Sequence, residues 1–251
     1  MANANTPRGL QPYAHQSGAP FSGGLRTYYV PVGNATALFL GDPVNLISNS
    51  SDGNGIPAIS IATAGTGDQV LGAFMGISNN AGLTPITLLQ SQTPYLAAAQ
   101  AAYVYVSDDP DLLYWIQEDS VGGAMASGAG GGNANLVAGA GSTVTSESGW
   151  QLQSSSLLHT QTTPFSQLRI IQALQETDNA IGVNCKWLVK INQGISAFTT
   201  VFAAGQILGP TVVGWIADGA GGLERGLVYS ACALWVGAAL ALRQRRLLPT
   251  T

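Results

Sequence analysis

The sequence predicts a mainly β protein: a β-sandwich or barrel-like domain with an extended N-terminal arm, followed by a hairpin of two apolar α-helices. Three observations predict this fold class. Between residues 27 and 193, short apolar runs alternate with turn residues at a spacing of roughly 8–12 residues. Charged residues make up only 9 % of the chain, while Gly occurs 32 times. From Ile191 to Ala217 there is no charged residue at all.

The N-terminal arm is assigned to residues 1–26. Its sequence, MANANTPRGLQPYAHQSGAP and the residues that follow, is rich in Asn, Pro and Gly and has no apolar stretch of the kind found in a signal peptide. Arms of this composition are commonly disordered or lie over a neighbouring subunit. We therefore expect an extended segment that contacts a lattice or a neighbour.

The β-rich domain is assigned to residues 27–193, where each apolar run is bounded by a turn signal. The Asp-Gly and Asn-Gly pairs of segment 49–55 form the densest of these signals. Segment 96–102, LAAAQAA, has helical propensity but is too short to settle its state. The predicted strands are TYYVPV (27–32), ALFL (37–40), VNLIS (44–48), IPAISIAT (56–63), VLGAFMGIS (70–78) and AAYVYVS (101–107).

Two β-hairpins are predicted from paired runs. The first joins residues 101–107 to LLYWIQED, ending at 119, through a turn built on Asp109-Pro110. The second joins QLRIIQALQ (167–175) to CKWLVKIN (185–192). Because side chains alternate along a strand, one face of the last strand carries Cys185, Trp187, Val189 and Ile191. Its other face carries Lys186, Leu188, Lys190 and Asn192.

Residues 121–143 form a Gly/Ala-rich segment of low complexity. Such composition is typical of a flexible loop, or of a connection at which the β-domain divides into two subdomains.

In the C-terminal region, residues 194–251, the apolar residues no longer form short runs but two long uncharged segments. Residues 194–217 are long enough for a membrane span, and residues 227–242 form a second span near the lower length limit. Arg243, Arg245 and Arg246 follow and place the C-terminus on the cytoplasmic side by the positive-inside tendency. The alternative is a pair of helices buried in a large globular core.

The charge distribution argues against nucleic-acid binding. Residues 1–193 carry eleven acidic residues against five basic ones, and no Lys or Arg lies between Arg26 and Arg169. A protein that neutralises phosphates needs a basic stripe, which this domain lacks. The two cysteines, Cys185 and Cys232, have no metal-ligand or disulfide spacing and are expected to be buried thiols.

Neither an enzyme nor a cofactor site is predicted. The two histidines, His15 and His159, have no carboxylate or cysteine near them in sequence, and no catalytic motif is present. A remote assembly of His159 with distant Ser and Asp residues is the alternative. The Gly run 128–132 lacks the Lys-Ser/Thr that a phosphate-binding loop needs.

Asp108, Asp109 and Asp111 form one acidic cluster. Three carboxylates within four residues can hold Ca²⁺, although the spacing is not that of an EF-hand. Asp-Asp-Pro is also a common turn opening. A hairpin turn is the preferred interpretation, and a cation site is the alternative.

Residues 1–193 resemble a family of tailed-phage virion proteins that decorate or cement the head. The resemblance lies in MANANTPRGLQPY, TYYVPVGNATALFLGDPV, YVSDDPDLLYWIQED and LRIIQALQETDNAIGVNCKWLVKIN, which occur in this order. It implies a β-rich, non-enzymatic module that binds the outside of the major capsid protein lattice. It also implies a small symmetric homo-oligomer such as a trimer.

Residues 194–251 resemble the last two transmembrane helices of a major facilitator superfamily transporter. The resemblance lies in FAAGQILGPTVVGWIADGAGGLERGLVYSACALWVGAALALRQRR. Gly205 and Gly209 form a G-x-x-x-G pair, followed by Pro210, that allows close helix packing in lipid. Transporters of this family enclose their path between two six-helix halves, so two helices cannot transport alone.

Three hypotheses follow from this organisation. In the first, a virion protein of a phage or prophage is joined to the 3′ end of a transporter gene at a seam near Gln193. In the second, a β-domain is anchored in a membrane through residues 194–242. In the third, the chain is a degenerate transporter fragment with an unrelated N-terminal part. The expected location is the head surface of a virion for residues 1–193, and a membrane wherever the C-terminal segment is inserted.

Overall fold

A computed structural model describes residues 3–78, 94–159 and 165–192 of the chain, and these residues are mainly β, as predicted. The chain divides into two compact units, Met1–Gly194 and Ile195–Thr251. The predicted pair of apolar helices lies outside the described residues, with its packing residues Gly205, Gly209 and Pro210 and the three C-terminal arginines. In the described ranges, helical structure is confined to 3-10 turns at Ser127–Ala129 and Ser154–Ser156.

Five strands of the first unit close into a barrel in the order β2-β4-β3-β5-β6. The β2–β4 pair is parallel, with Tyr29 opposite Ala58, and the other pairs are antiparallel. The strands are β2 (Arg26–Val30), β3 (Pro43–Ser51), β4 (Pro57–Ile61), β5 (Gly72–Ser78) and β6 (Ala102–Ser107).

Side-chain alternation along these strands fills the barrel. Val104 and Val106 lie on the same side of β6, and both are fully buried. They pack in one cluster with Val30, Val44, Ile59 and Phe74 from the other four strands. Each of the five strands thus contributes β-branched or aromatic residues to a single small core.

A second group of five strands forms an open antiparallel sheet in the order β1-β7-β12-β11-β8. A separate two-stranded ribbon is formed by β9 (Leu136–Val137) and β10 (Gln151–Leu152), which come between β8 and β11 along the chain. The strands of the open sheet are β1 (Gln11–His15), β7 (Leu112–Gln117), β8 (Asn133–Ala134), β11 (Leu168–Ala173) and β12 (Lys186–Ile191).

The predicted hairpin of β11 and β12 is confirmed, as is the inner face of the last strand. Leu168 lies opposite Ile191 and Ala173 lies opposite Trp187. Trp187 is 1 % exposed and belongs to the larger core, which the sheet and the ribbon share. The other three residues predicted for that face, Cys185, Val189 and Ile191, are buried in the same core.

The predicted hairpin of residues 101–119 is wrong. Strand β6 pairs with β2 and β5 in the barrel, whereas β7 pairs with β1 and β12 in the open sheet. The chain does turn at Asp109, whose carbonyl accepts the Leu112 N–H at 3.1 Å. Two apolar runs on either side of a turn can form a hairpin in one sheet, or can belong to two different sheets. Here the turn leads from the barrel to the open sheet.

The N-terminal arm lies on its own chain. Strand β1 pairs with β7, and Leu10 is fully buried in the larger core. Gly9 and Gly41 allow this close approach, because both have positive φ and a Cβ on either would collide with backbone of the other segment. The expectation of disorder is therefore wrong for residues 3–15, whereas contact of the arm with a lattice or a neighbour stays a prediction.

The Gly/Ala-rich segment 121–143 is folded into the unit, so the prediction of a flexible loop is wrong. Met125, Ala129, Ala134 and Leu136 are all buried in the larger core, and β8 pairs with β11. Small residues here let the chain pack closely against the sheet. Segment 96–102 is not a helix either, because Leu96 forms a β-bridge with Leu38 and β6 begins at Ala102.

Candidate functional site

The open sheet carries two basic residues on directly opposed positions of neighbouring strands. The strand register places five residues side by side across the sheet: Ala14, Leu113, Lys190, Arg169 and Asn133. Arg169 on β11 is the direct cross-strand partner of Lys190 on β12. Cross-strand partners have Cβ atoms about 5 Å apart, so these two cations share one patch of surface.

A groove of about 610 Å³ opens over this pair. Its wall includes the polar residues Arg169, Lys190, Asp111, Gln16 and Asn192, together with Gly131. Asp111 comes from the turn before β7, and Gln16 follows β1. The groove therefore forms only when the arm, the turn and the β-hairpin of β11 and β12 come together.

The charges of the groove are unequally paired. The Nζ atom of Lys190 lies 3.8 Å from Oδ1 of Asp111, a distance too long for a good hydrogen bond. Arg169 is exposed and has no carboxylate within 4.0 Å among the described residues. With one carboxylate against two cations, the groove has a formal charge of +1.

The remaining cations of the described chain are engaged elsewhere. Arg8 pairs with Glu147 at 3.2 Å, and Arg26 pairs with Asp108 at 3.3 Å. Lys186 contacts two carboxylates, those of Glu176 at 3.1 Å and Asp178 at 3.2 Å. Among the Lys and Arg side chains of residues 3–78, 94–159 and 165–192, Arg169 is thus the one without an ion pair.

Lys186 lies on the same outer face but outside the groove. Its Nζ atom is 5.6 Å from the centre of the Trp115 ring, a cation–π geometry. Partial burial lowers its pKa, but the hydrogen bonds that Lys186 donates to Glu176 and Asp178 outweigh this effect and raise the pKa overall. The same hydrogen bond from Lys186 lowers the pKa of Asp178. Lys186 thus faces two carboxylates and is fully engaged by them.

The three clustered aspartates point to different partners. Oδ2 of Asp108 accepts the Tyr28 hydroxyl at 2.6 Å, in addition to its ion pair with Arg26. Burial, reinforced by Asp108, raises the pKa of Tyr28 to about 12. The Asp108 carboxylate therefore ties the turn to strand β2 of the barrel.

Asp109 and Asp111 face other ways. Oδ1 of Asp109 accepts the Asp111 N–H at 2.8 Å, and its Oδ2 lies 3.5 Å from Nδ1 of His15. Asp111 faces Lys190 across the groove. No group of three or more His, Cys, Asp or Glu side chains is gathered in the part of the chain that the structure describes. Cation binding at these aspartates stays a sequence-based prediction.

A buried carboxylate that the sequence did not single out lies at the end of β7. Glu118 is fully buried and accepts hydrogen bonds from the Ser120 hydroxyl, the Met125 N–H and Nε1 of Trp187, at 3.0, 3.0 and 3.1 Å. Burial raises its pKa, and these donors only partly oppose the shift. Glu118 thereby joins three segments of the larger core.

The cysteine of the described region is buried, as expected. Burial, reinforced by the nearby negative charge of Glu118, raises the pKa of the Cys185 thiol to about 11. A thiol with so high a pKa is a poor nucleophile at neutral pH. His159, the other side chain considered for chemistry, is exposed.

A family model matches the C-terminal part of the chain. Residues 187–242 match the family model described as uncharacterised MFS-type transporter YbfB, and this range covers 56 of the 251 residues. No curated protein matches the chain, and no solved structure matches it. In the described part of the chain, no helix has the length and apolar character needed to cross a membrane.

The match begins inside the β-rich unit. Trp187 and the four residues after it belong to β12, which pairs with β7 on one side and with β11 on the other. The first five residues of the match to the transporter family therefore belong to the central strand of a sheet. The chain contains a partial stretch similar to an MFS-type transporter, attached to a mainly β unit.

Proposed function

We propose that the β-rich unit is a non-enzymatic structural protein of a phage or prophage virion, which binds and stabilises the capsid exterior as a symmetric oligomer. The observation that carries the proposal is an exposed apolar patch made of Val121, Ile181 and Val183. These side chains are 64 %, 47 % and 61 % exposed. Exposed apolar side chains gathered at one place mark surfaces that contact other proteins.

The patch is held in a defined conformation. The Asn184 N–H donates to the Ser120 hydroxyl at 2.9 Å, which brings the two loops of the patch together. The Asn3 side-chain amide donates to the carbonyls of Ala180 and Val183 at 2.8 and 2.9 Å. A contact surface that is already ordered loses less conformational entropy on binding.

A lattice binder needs only modest affinity at each contact. Symmetric repetition converts several weak contacts into strong overall binding, provided that the geometry lets them engage together. A low-charge β unit with two packed hydrophobic cores suits such a static role. The resemblance of residues 1–193 to head-decorating virion proteins supports the same function.

The test is quantitative mass spectrometry of purified phage particles from a strain that expresses the chain. We expect peptides from residues 1–193 in a fixed ratio to the major capsid protein, and none from beyond Lys190. Val183→Asp should lower the copy number per particle at least about tenfold, since a buried charge is strongly disfavoured at an interface. Val144→Asp, on a different loop at a 93 % exposed valine, is the matched control. Particles that lack the wild-type protein would refute the proposal.

The match to an MFS-type transporter favours a second candidate, in which the chain is a membrane protein carrying a transporter fragment that is not transport-competent alone. A membrane-anchored β-domain is the related alternative. Only Asn192, Gln193 and Gly194 separate β12 from the apolar segment, so any polar spacer is at most three residues long. This abrupt change supports a seam near Gln193 over a functional anchor. Recovery of the full chain in carbonate-washed membranes would support the second candidate.

A further inference from the structure

The groove over β11 and β12 holds two like charges in direct opposition. Arg169 and Lys190 are cross-strand partners, an arrangement that destabilises a sheet when both residues are charged. The single neighbouring carboxylate, Asp111, lies 3.8 Å from Lys190 and is itself 70 % exposed. The free protein therefore keeps a repulsive pair in a concave site, which an incoming anion would relieve.

We propose that this groove binds one carboxylate of an acidic peptide segment on a partner protein. The guanidinium of Arg169 presents a planar fork that matches the two oxygens of a carboxylate. Lys190 supplies a second positive charge on the adjacent strand. The inference deepens the proposed function and rests on it for the nature of the partner.

The charge balance selects a monovalent anion. Two cations and Asp111 give the groove a formal charge of +1, which one carboxylate neutralises. Nucleic acid presents a dense row of phosphates, and a groove with two cations and one carboxylate is too small a basic surface to neutralise such a row. An acidic protein segment can place a single carboxylate in the groove and keep its other charges in solvent.

Asp111 sets how strongly the groove attracts this ligand. Its carboxylate faces Lys190 from the turn before β7 and competes with an external carboxylate for the same cation. Its removal leaves Lys190 unpaired and raises the formal charge of the groove to +2. Asp111→Asn should therefore strengthen binding, an effect that a merely structural aspartate would not produce.

The experiment measures the fluorescence anisotropy of a dye-labelled peptide, Ac-Gly-Asp-Glu-Asp-Gly, titrated with the full-length protein in mild detergent. A neutral peptide with Asn and Gln at the acidic positions, and a single-stranded DNA oligonucleotide, are the comparison probes. We expect Arg169→Gln to weaken binding of the acidic peptide about tenfold, the effect of losing a charge-assisted hydrogen bond. Arg169→Lys should fall between, and Asp111→Asn should tighten binding about threefold through the Coulomb term.

Arg26→Gln is the matched control, because it removes the same charge from an arginine that is 73 % exposed outside the groove. The proposal is overturned if Arg26→Gln and Arg169→Gln weaken binding equally, if the neutral peptide binds as well, or if DNA binds better than the acidic peptide. Peptide binding without particle association would sink the virion function and leave the groove intact. Particle association that Arg169→Gln leaves unchanged, with no peptide binding, would sink the groove alone.

Discussion

Asp42 is a buried acid whose ionisation should destabilise the fold. It is 1 % exposed, its Oδ2 accepts the Phe39 N–H at 2.8 Å, and its Oδ1 has no hydrogen-bond partner. Burial raises its pKa from 3.8 to about 6, against the opposing influence of the Ser148 side chain and the Phe39 N–H. A shift of this size corresponds to about 3 kcal/mol of folding free energy.

The direction of the pH dependence follows from proton binding. The folded pKa of Asp42 lies above its unfolded value, so between about pH 4 and pH 6 the folded state holds more protons. Stability from this group is therefore complete below pH 4 and is lost as the pH rises through 6. The neutral side chain of Asp42→Asn still accepts the Phe39 N–H and does not titrate. The free energy of unfolding of the variant, minus that of the wild type, should rise by about 3 kcal/mol from pH 3 to pH 7.

The assay is urea unfolding at half-unit pH intervals, followed by near-ultraviolet circular dichroism. Taking the difference between variant and wild type cancels the titration of all other groups that the substitution leaves unperturbed. Asp68→Asn, the same substitution at an exposed position, is the matched control. A flat profile for Asp42→Asn would refute the burial argument. So would a wild-type Asp42 carboxyl that titrates near pH 4 in carbon-13 spectra.

Three further predictions concern the larger core and the arm. Trp187→Ala should lower the free energy of unfolding by about 3–5 kcal/mol, because it opens a cavity and removes a donor to Glu118; a loss below about 1 kcal/mol in urea unfolding would contradict its core position. Cys185 should react with iodoacetamide at pH 8 far more slowly in the native protein than in urea, as followed by peptide mass spectrometry, and equal rates would contradict its burial. Gly9→Ala should destabilise by more than about 2 kcal/mol in the same urea assay, because its methyl group would meet the Gly41 carbonyl. Gly18→Ala, with positive φ but open space around it, separates this clash from backbone strain, and equal losses for the two would argue against the clash.

Local patterns were sufficient to predict the closing hairpin. CKWLVKIN alternates cleanly, and its inner residues Cys185, Trp187, Val189 and Ile191 are all buried. The loop that precedes it is short enough for the two strands to be neighbours. The alternation of apolar and polar residues and the short distance along the chain were therefore enough to predict this pairing, because β11 and β12 pair with each other.

Pairings between distant segments could not be predicted in this way. Asp109-Pro110 shows that the chain turns, but turn chemistry does not say which sheet receives the next strand. Likewise, Gln11–His15 has too few apolar residues to read as a strand, and its place beside β7 comes from Leu10 and the close Gly9–Gly41 contact. The small residues of segment 121–143 look flexible in sequence, yet they allow tight packing.

The groove was only partly accessible to sequence reasoning. Alternation places Lys190 on the outer face of the last strand, but the opposition of Arg169 needs the register of the hairpin, which includes a bulge between Ile170 and Gln172. Asp111 and Gln16 join the site through long-range contacts. Pairing the two predicted strands residue by residue, outward from the loop that joins them, would have been the one way to find from the sequence that Arg169 and Lys190 lie close together.

The central position of β12 also constrains how this unit can be made. Its neighbours β7 and β11 are both synthesised earlier. The edge of each strand that pairs with β12 has no partner until Lys186–Ile191 has been synthesised. During translation the sheet therefore stays divided, with two unpaired backbone edges, until almost all of the first unit has left the ribosome. Chains stalled before residue 186 should expose both edges to strand exchange and depend on chaperones.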